Sequence, residues 1–506
     1  MKQQSRRSFL KLSALGGSAL ACMASSLSAQ ENKPQFNKVA DIIVIGSGFA
    51  GLAAALEAVE QGRSVMLLEK MPAFGGNSAI NGGAFAVAGS PLQAKEGIKD
   101  SPELMLQDMI KSGRGLSHVD LLKNIVYGTR PAFDFTVKYG VQYKPFVQHF
   151  GGHSVPRIMQ TIESTGGGIT RPLVEAARKL GVDMHLNCAV TDFVQDKAGR
   201  VIGVKVLERH NYEKPGSGIT QTYGARRGVI AAAGGFSQNV AFRMQQDPLL
   251  GPNLESTNHP GATGEVLQAM LALGALPVQL DQIQLGPWSS PDERGFGLVS
   301  QFNTIAGFPK GIMVDKRTGR RFVDELADRK ARADAILQQL DENGKPVYPI
   351  CFTDSNGAKL AQTLPNGLKY GVIKKFNTIE ELAAHYGIPK EALVKQVEEF
   401  NGYVRAKKDA QFGRPLDIAI EIKKAPFYAA RVWPKVHYCM GGVGITKDAE
   451  VINVRTQQPI PGLYAAGEVT GGTHGASRLG GCAIADGLVT GRVAGAAAAK
   501  APAADL

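Results

Sequence analysis

The sequence predicts an α/β fold built around a parallel sheet. Residues 40–45 form a short apolar, β-branched run of the kind that makes a buried strand. An alanine-rich helix is predicted at 53–59, and the apolar run 65–68 gives a second strand. Two more strands, each ending in a glycine turn, are predicted before Gly234 and before Gly467. Strands that alternate with helices are typical of parallel sheets covered on both faces.

Composition indicates a globular protein with room for two or more domains. The chain has 506 residues, of which 44% are hydrophobic and 20% are charged. The formal net charge of +12 is spread along the chain rather than gathered in basic runs, so we predict no nucleic-acid partner. Beyond the N-terminal region no segment has 18 uninterrupted apolar residues, so we predict no membrane insertion.

The first 29 residues are typical of an export signal. Arg6 and Arg7, followed by Ser-Phe-Leu-Lys, match the twin-arginine pattern, and a short apolar stretch leads to small residues up to Ala29. An ordinary basic tail is the alternative interpretation. We predict a twin-arginine signal peptide at 1–29 and a periplasmic protein, whose net charge after cleavage falls from +12 to +8.

The cysteine pattern argues against haem and thiolate metal sites. The five cysteines form neither CxxC nor CxxCH, so we predict no haem in this chain and no metal site; they are Cys22, Cys188, Cys351, Cys439 and Cys482.

The first strand leads into a dinucleotide-binding pattern. Gly46, Gly48 and Gly51 give G-x-G-x-x-G, and Glu69 closes the second strand roughly 20 residues on. The first glycine allows the tight turn, the second lets the backbone approach a pyrophosphate, and the third lets helix and strand pack closely. Glu69 can accept hydrogen bonds from ribose hydroxyls, so the unit predicts a dinucleotide cofactor.

Further glycine turns favour FAD over NAD. The segment GGNSAINGGAF follows the ribose-binding acid closely, and two later strands end in glycine turns, so three separated segments return to one elongated ligand. A second complete fingerprint is missing from the sequence, which predicts one FAD and no NAD(P)H site. We predict further cofactor contacts from Lys70, Gly75, Gly76, Asn77, Ser78, Gly82, Gly83, Val190, Ala233, Gly234, Gly235, His437, Gly467, Glu468, Arg478, Gly481, Ala483 and Ile484.

The chain resembles the soluble fumarate reductase family, which includes flavocytochrome c flavoprotein subunits and periplasmic enoate reductases. The motifs that carry the resemblance are GSGFAGLAAALEA, GGNSAINGGAF, AAAGGFSQN, STNHPGATGE, RFVDELADRKARADAIL, VHYCMGGVGI and GLYAAGEVTGGTHGASRLGGCAI. The resemblance implies a Rossmann-like FAD-binding domain, 36–245 and 372–502, interrupted by an α+β capping domain, 246–371. It also implies non-covalent FAD, because GGNSAING lacks the flavin-linking His of membrane-bound relatives.

The resemblance also implies an active site that reduces a carbon–carbon double bond next to a carboxylate. Arg329 looks like the family's proton donor, and His437 and Arg478 look like its carboxylate clamp. Hydride would come from flavin N5 to the β-carbon, and Arg329 would protonate the α-carbon. Arginine has a pKa above about 12, so it can give up a proton only to a strongly basic acceptor such as a developing carbanion.

The sequence departs from the family where fumarate's second carboxylate binds. The family's Thr-Glu-x-x-Arg stretch corresponds to Asn303, Thr304 and Gly307, and its His-Pro-Thr segment corresponds to 286–288, where Trp288 stands in place of Thr. A carboxylate set against aromatic rings without a cation is costly. We therefore predict a monocarboxylate substrate whose tail contacts Trp288 and Phe308; the alternative is that Lys310 supplies the missing charge.

The sequence is also compatible with three other functions. The chain could be a fumarate reductase, a flavin dehydrogenase working in the oxidative direction, or an electron carrier without turnover. Cys439 and Cys482, which stand where the family commonly has Thr and Asn, could act in redox chemistry, although small pocket-lining side chains are the simpler interpretation. We predict a separate periplasmic cytochrome c as the electron donor.

Overall fold

The strand Lys38–Ile45 lies near the centre of an eight-stranded sheet. It pairs in parallel with Val65–Leu68 on one side and with Ile219–Ala231 on the other. Residues 42–45 of this strand are buried on both faces, as expected for a central parallel strand covered by helices. The computed structural model describes residues 34–506, and Phe36–Leu506 form one compact unit. The predicted signal peptide at 1–29 lies outside the described residues.

The C-terminal helix Cys482–Lys500 packs directly on the first helix, Phe49–Glu60. A Cβ atom on Gly491 would lie 2.3 Å from the Ala50 carbonyl oxygen, and one on Gly495 would lie 2.4 Å from that of Ala54. Glycine at these positions therefore lets the two backbones touch. The C-terminal helix is long and apolar enough to span a membrane, but 72% of its most apolar window is buried inside the fold, as in a core helix.

A second, antiparallel sheet forms the other part of the molecule. Its central strands are Ile312–Asp315, Ile350–Thr353 and Phe427–Arg431. Lys374–Phe376 pairs with Phe427–Arg431, so two strands of this sheet follow the predicted end of the capping domain at residue 371. The chain returns to the second sheet after the helices between residues 379 and 406. We propose that the capping segment continues to residue 431.

A short ribbon connects the two sheets. Ile283–Gly286 pairs antiparallel with Lys435–Cys439, and these strands carry the chain out of the large sheet and back to it. Trp288 follows the first strand of the ribbon and His437 lies within the second. The ribbon therefore brings two of the predicted site residues together from positions about 150 residues apart.

A buried group of charges fixes the chain just before the predicted proton donor. Arg321 pairs with Glu325 at 2.7 Å and with Asp409 at 3.0 Å, and Arg414 pairs with Glu325 at 3.0 Å. All four side chains are fully buried, and each charge is compensated by a partner. This network fixes the segment that leads into the helix Arg329–Leu337.

The elements of the described residues are as follows. The α-helices are Phe49–Glu60, Gly76–Ile80, Pro91–Lys95, Pro102–Ser112, Val119–Lys138, Gly167–Lys179, Val240–Gln246, Glu265–Ala272, Gly297–Phe302, Phe308–Lys310, Arg329–Leu337, Ser355–Ala358, Leu364–Lys369, Ile379–Tyr386, Lys390–Ala406 and Cys482–Lys500, with a π-helical turn at Asn303–Gly307 and a 3₁₀ turn at Gly467–Val469. The strands are Lys38–Ile45, Val65–Leu68, Ala84–Ala86, Ile158–Gln160, Asp183–His185, Cys188–Gln195, Val201–Glu208, Ile219–Ala231, Pro277–Val278, Ile283–Gly286, Ile312–Asp315, Arg320–Arg321, Ile350–Thr353, Lys374–Phe376, Phe427–Arg431, Lys435–Cys439, Gly442–Val443, Glu450–Ile452 and Pro459–Ala465.

Candidate active site

The turn after the first strand leaves no room for side chains. Gly46 has φ +98°, and a Cβ there would lie 2.4 Å from the Ala232 carbonyl oxygen. A Cβ on Gly48 would lie 2.9 Å from Ser78 Oγ, and one on Gly51 would lie 1.9 Å from the Gly46 carbonyl oxygen. Gly46 and Gly48 line a cavity of about 1010 Å³ that holds most of the predicted site residues. Gly51 does not line it, because its role is to let the helix pack on the turn.

Glu69 is held rigidly at the cavity wall. One carboxylate oxygen accepts hydrogen bonds from the Ser47 amide (3.1 Å) and hydroxyl (2.6 Å), and the other accepts from the Met71 amide at 2.9 Å. The Ser47 hydroxyl in turn accepts from the Gly75 amide at 2.9 Å. Glu69, the predicted ribose-binding residue, therefore also links the first glycine turn to the second through Ser47.

The second glycine loop closes over the first helix. Ser78 Oγ accepts a hydrogen bond from the Phe49 amide at 2.9 Å, and Asn77 Oδ1 accepts from the His259 amide at 2.6 Å. Gly82 lines the cavity, whereas Gly83 does not. A Cβ on Gly83 would lie 2.4 Å from Thr161 Oγ1, so this glycine serves loop packing.

One cavity of about 1010 Å³ connects the glycine turns with the second sheet. The cavity does not reach Gly235, which was predicted to contact the cofactor. A Cβ on Gly235 would lie 2.6 Å from a carboxylate oxygen of Glu468. The predicted residues that do line the cavity are Gly46, Gly48, Glu69, Lys70, Gly75, Gly76, Asn77, Ser78, Gly82, Val190, Ala233, Gly234, Trp288, Phe308, Arg329, His437, Gly467, Glu468, Arg478, Gly481, Ala483 and Ile484.

Glu468 is a buried carboxylate in the cavity wall. Its Oε1 accepts a hydrogen bond from the Cys439 amide at 3.0 Å. Burial raises the pKa of Glu468 to about 7, although the Cys439 amide and the charge of Arg478 act in the opposite direction. The side chain can therefore present either a proton or a charge to a polar ligand near neutral pH.

Arg478 is almost completely buried, with 4% of its surface exposed. Its guanidinium lies 4.4 Å from the centroid of the Tyr438 ring, and its Nη1 donates to the Leu479 carbonyl at 3.0 Å. Its Nε has no hydrogen-bond partner among the described residues. A buried, partly unsatisfied guanidinium in a cavity wall is suited to a carboxylate ligand, which accepts two parallel hydrogen bonds.

His437 faces the same part of the cavity. Its Nδ1 shares a 2.7 Å hydrogen bond with Thr257 Oγ1, and its ring stands edge-on to Trp288 with the centroids 5.1 Å apart. Burial lowers the pKa of His437 well below its usual range, and the charges of Arg329 and Arg478 add to this effect. The imidazole is therefore neutral and acts as a hydrogen-bonding group.

Arg329 begins the helix Arg329–Leu337, and Asp328 caps that helix by accepting from the Lys330 and Ala331 amides. Arg329 Nη1 donates to Gln284 Oε1 at 3.0 Å, and its guanidinium lies 4.5 Å from the centroid of a Trp288 ring. Gln284 Nε2 also donates to the Arg478 carbonyl at 3.1 Å. A single buried amide thus ties the predicted proton donor to the predicted clamp.

An aromatic wall faces these polar groups. Trp288, Phe296 and Phe308 line the cavity, and Asn303 Nδ2 supports the wall by donating to the Trp288 carbonyl at 2.9 Å. Lys310, the alternative cation for a second carboxylate, does not line the cavity. Its ammonium group instead donates to the Ile418 carbonyl.

Sequence reasoning missed several residues that complete the site. Gln284 orients Arg329, and Thr257 orients His437. Gln284 lies in none of the motifs quoted above, and Thr257 lies in STNHPGATGE, from which no role for its side chain was predicted. Tyr438 could have been suspected because it follows His437 directly. Cys439 and Cys482 are buried free thiols, and burial raises the pKa of both, which makes them poor thiolates. They act as small packing side chains.

The residues fit an elongated flavin dinucleotide. One part of the site contains glycine turns with no room for side chains and the fixed carboxylate of Glu69, and both lie along the long cavity. Buried arginines and a neutral histidine gather in the other part. A fold that holds FAD beside groups able to bind a carboxylate and deliver a proton defines the class of flavin-dependent oxidoreductases.

Comparisons with known proteins identify the family. A family model described as FAD binding domain matches residues 41–484. The chain is 47% identical to the acrylate reductase flavoprotein subunit of Shewanella woodyi over 97% of each chain. It is 36% identical to the urocanate reductase of Eggerthella lenta, over 91% of this chain and 74% of that protein. The chain belongs to this family of FAD-dependent fumarate and enoate reductases, which are oxidoreductases acting on CH–CH groups.

A solved structure supports the same conclusion. The open conformation of a flavocytochrome c3 fumarate reductase superimposes with a TM-score of 0.74 at 32% identity, covering 92% of this chain and 79% of that one. The α/β fold with an FAD-binding domain is therefore confirmed.

Proposed function

We propose that this protein reduces the carbon–carbon double bond of an α,β-unsaturated monocarboxylate of the acrylate, methacrylate or aryl-acrylate type, using non-covalently bound FAD. The observation that carries the proposal is the arrangement of Arg329, His437 and Arg478 opposite an aromatic wall in one cavity. The similarity to an acrylate reductase flavoprotein subunit supports the same substrate class.

Arg478 and His437 hold the substrate carboxylate. Arg478 offers a planar fork of donors, and its burial strengthens each hydrogen bond it makes to an anion. Neutral His437 can donate from Nε2 in the tautomer in which the Thr257 hydroxyl donates to Nδ1. As negative charge builds on the carboxylate during reduction, these donors stabilise it without rearranging.

Arg329 delivers the proton. When bound, FAD supplies the hydride that adds to the β-carbon of the substrate. Arg329 then gives one proton to the α-carbon, so that the double bond becomes a single bond, and Arg329 afterwards regains its proton from solvent. Gln284 and Trp288 hold the guanidinium in place for this transfer.

The aromatic wall favours a monocarboxylate. A second carboxylate against Trp288 and Phe308 would lose its hydration, and Lys310, which is turned to the Ile418 carbonyl, does not line the cavity. The cations nearest these two rings are Arg329, the proposed proton donor, and Arg332, one helical turn further on. Fumarate should therefore be a poorer substrate than an acrylate-type acid.

An anaerobic substrate panel with reduced methyl viologen as donor tests the substrate class. We expect kcat/KM to be higher for at least one of acrylate, methacrylate or cinnamate than for fumarate, and Arg478→Met to lower kcat/KM for all of them while FAD stays bound. A kcat/KM for fumarate above that of every monocarboxylate would contradict the proposal.

We also propose that the protein works in the periplasm and receives electrons from a separate cytochrome c rather than from NAD(P)H. The twin-arginine pattern, the single dinucleotide fingerprint and the absence of CxxCH from the sequence support this. The net charge of +8 predicted after cleavage favours an acidic donor, so docking should weaken with salt as the screening length falls to roughly 8 Å at physiological ionic strength. Enoate reduction with NADH at the rate supported by viologen would contradict the donor assignment.

A further inference from the structure

Arg332 is a second buried arginine beside the proposed proton donor. It lies three residues after Arg329 in the helix Arg329–Leu337, so both side chains lie on the same helical face about one turn apart. It is 9% exposed and lines the same cavity. Its guanidinium lies 5.1 Å from the centroid of the Phe308 ring.

The charge of Arg332 has no ion-pair partner among the described residues. Its Nη1 donates to the Glu325 carbonyl at 3.2 Å, and its Nε has no hydrogen-bond partner within residues 34–506. Arg321 and Arg414, in the same part of the fold, pair directly with carboxylates. A buried unpaired charge costs folding free energy, so its presence in a cavity next to Arg329 calls for a functional explanation.

We propose that Arg332 is a positioning residue for proton transfer: its unpaired positive charge destabilises protonated Arg329 and so makes Arg329 a stronger acid toward the substrate carbanion. This inference rests on the proposed function, in which Arg329 protonates the α-carbon. It gives a physical reason why an arginine can act as an acid in this site.

Electrostatics of the site support this role. Burial lowers the pKa of Arg329 well below its usual range, and Arg478 and then Arg332 lower it further. The first-turn position of Arg329 acts in the same direction, because the positive end of a helix disfavours a cation. Burial lowers the pKa of Arg332 to about 10, although the charges of nearby carboxylates act to raise it. The titratable and charged groups facing these two arginines are Arg478, Cys482, His437, Asp324, Glu325, Asp328 and Cys351.

The test compares three variants of the FAD-loaded protein. Arg332→Met removes the charge and keeps the length of the side chain, whereas Arg332→Lys keeps the charge. Lys330→Met is the matched control, because Lys330 lies on the same helix but points outward, with 40% of its side chain exposed and Asp334 as its partner. The measurements are kcat and KM for acrylate and for fumarate, the solvent deuterium isotope effect on kcat, flavin content and the Tm of unfolding.

We expect Arg332→Met to lower kcat by about tenfold or more, because a weaker acid transfers its proton more slowly. Its KM for acrylate should stay unchanged, and its solvent isotope effect should rise. Its Tm should be equal or higher, since an uncompensated charge has been removed. Arg332→Lys should retain most of the activity, and Lys330→Met should behave as wild type.

Four results would overturn the inference. The first is an unchanged kcat in Arg332→Met, and the second is a loss of kcat in Arg332→Lys equal to that in Arg332→Met. The third is a lower Tm with loss of flavin in both variants, and the fourth is a higher KM of Arg332→Met for fumarate only. The last would make Arg332 a subsite for a second carboxylate. If wild type reduces acrylate and Arg332→Met matches it, only this inference fails; if wild type reduces no enoate, the proposed function fails with it.

Discussion

Replacing Gln284 by Glu would place a carboxylate next to the proposed proton donor. The Gln284 amide oxygen lies 3.0 Å from Arg329 Nη1, so Gln284→Glu puts a negative charge at hydrogen-bond distance from the guanidinium. Opposite unit charges about 4 Å apart attract by about 4 kcal/mol at an effective dielectric constant of 20. Even half of this, about 2 kcal/mol, corresponds to roughly a 30-fold change in rate.

The added charge should impair the reaction in two ways. It stabilises protonated Arg329, which then holds its proton more firmly, and it repels the substrate carboxylate from the clamp. We therefore expect kcat/KM for acrylate to fall by about 30-fold or more, while the flavin remains bound because Gln284 does not line the cavity.

Two comparison variants separate charge from shape in the same anaerobic viologen assay. Gln284→Leu loses the hydrogen bond without adding a charge, so its loss of activity should be smaller. Gln282→Glu adds the same charge two residues away, where the side chain is only partly buried and bonded to Asp281, and it should retain activity. Wild-type kcat/KM in Gln284→Glu would refute the reasoning.

The remaining predictions concern the proton donor, the clamp and the cofactor. Arg329→Lys and Arg329→Ala should each lower kcat by at least ~10²-fold while FAD stays bound, and near-normal turnover in Arg329→Ala would remove Arg329 from the mechanism. Thr257→Val should weaken acrylate binding, measured as a higher KM, because His437 loses the hydrogen-bond partner that holds its ring at Nδ1. Glu468 has a folded-state pKa of about 7, above the ordinary 4.5. Its contribution to the stability of the flavin-free protein should therefore decrease as pH rises from about 4.5 to about 7, and the Tm of Glu468→Gln should depend less on pH across this range. Acid precipitation should release all of the yellow colour, and colour in the pellet would contradict non-covalent binding.

Local patterns predicted the strands and the helix around the first glycine turn. The run from Lys38 to Glu69 forms the expected strand, helix and strand, because apolar periodicity and glycine spacing are properties of neighbouring residues. Gly46 and Glu69 both line the cavity as expected. Gly51, Gly83 and Gly235 do not line the cavity, and a Cβ at any of them would collide with neighbouring atoms, so glycine spacing alone does not separate cofactor contacts from close packing.

Long-range contacts could not be predicted in the same way. Gln284 reaches Arg329 from 45 residues away, and Thr257 reaches His437 from 180 residues away. Neither residue is of an unusual type, and although Thr257 lies in the motif STNHPGATGE, its contact with His437 depends on the ribbon strand Lys435–Cys439, as the contact of Gln284 depends on Ile283–Gly286. The strand pairing that extends the second sheet beyond residue 371 is likewise a tertiary contact.

A crystal structure of the oxidised, FAD-loaded protein with acrylate would test the central claim most directly, because oxidised flavin cannot reduce the substrate during the experiment. The proposed function predicts that the carboxylate lies within hydrogen-bond distance of Arg478 and His437, and that the α-carbon faces Arg329. A carboxylate bound away from both residues, or an α-carbon out of reach of Arg329, would contradict it.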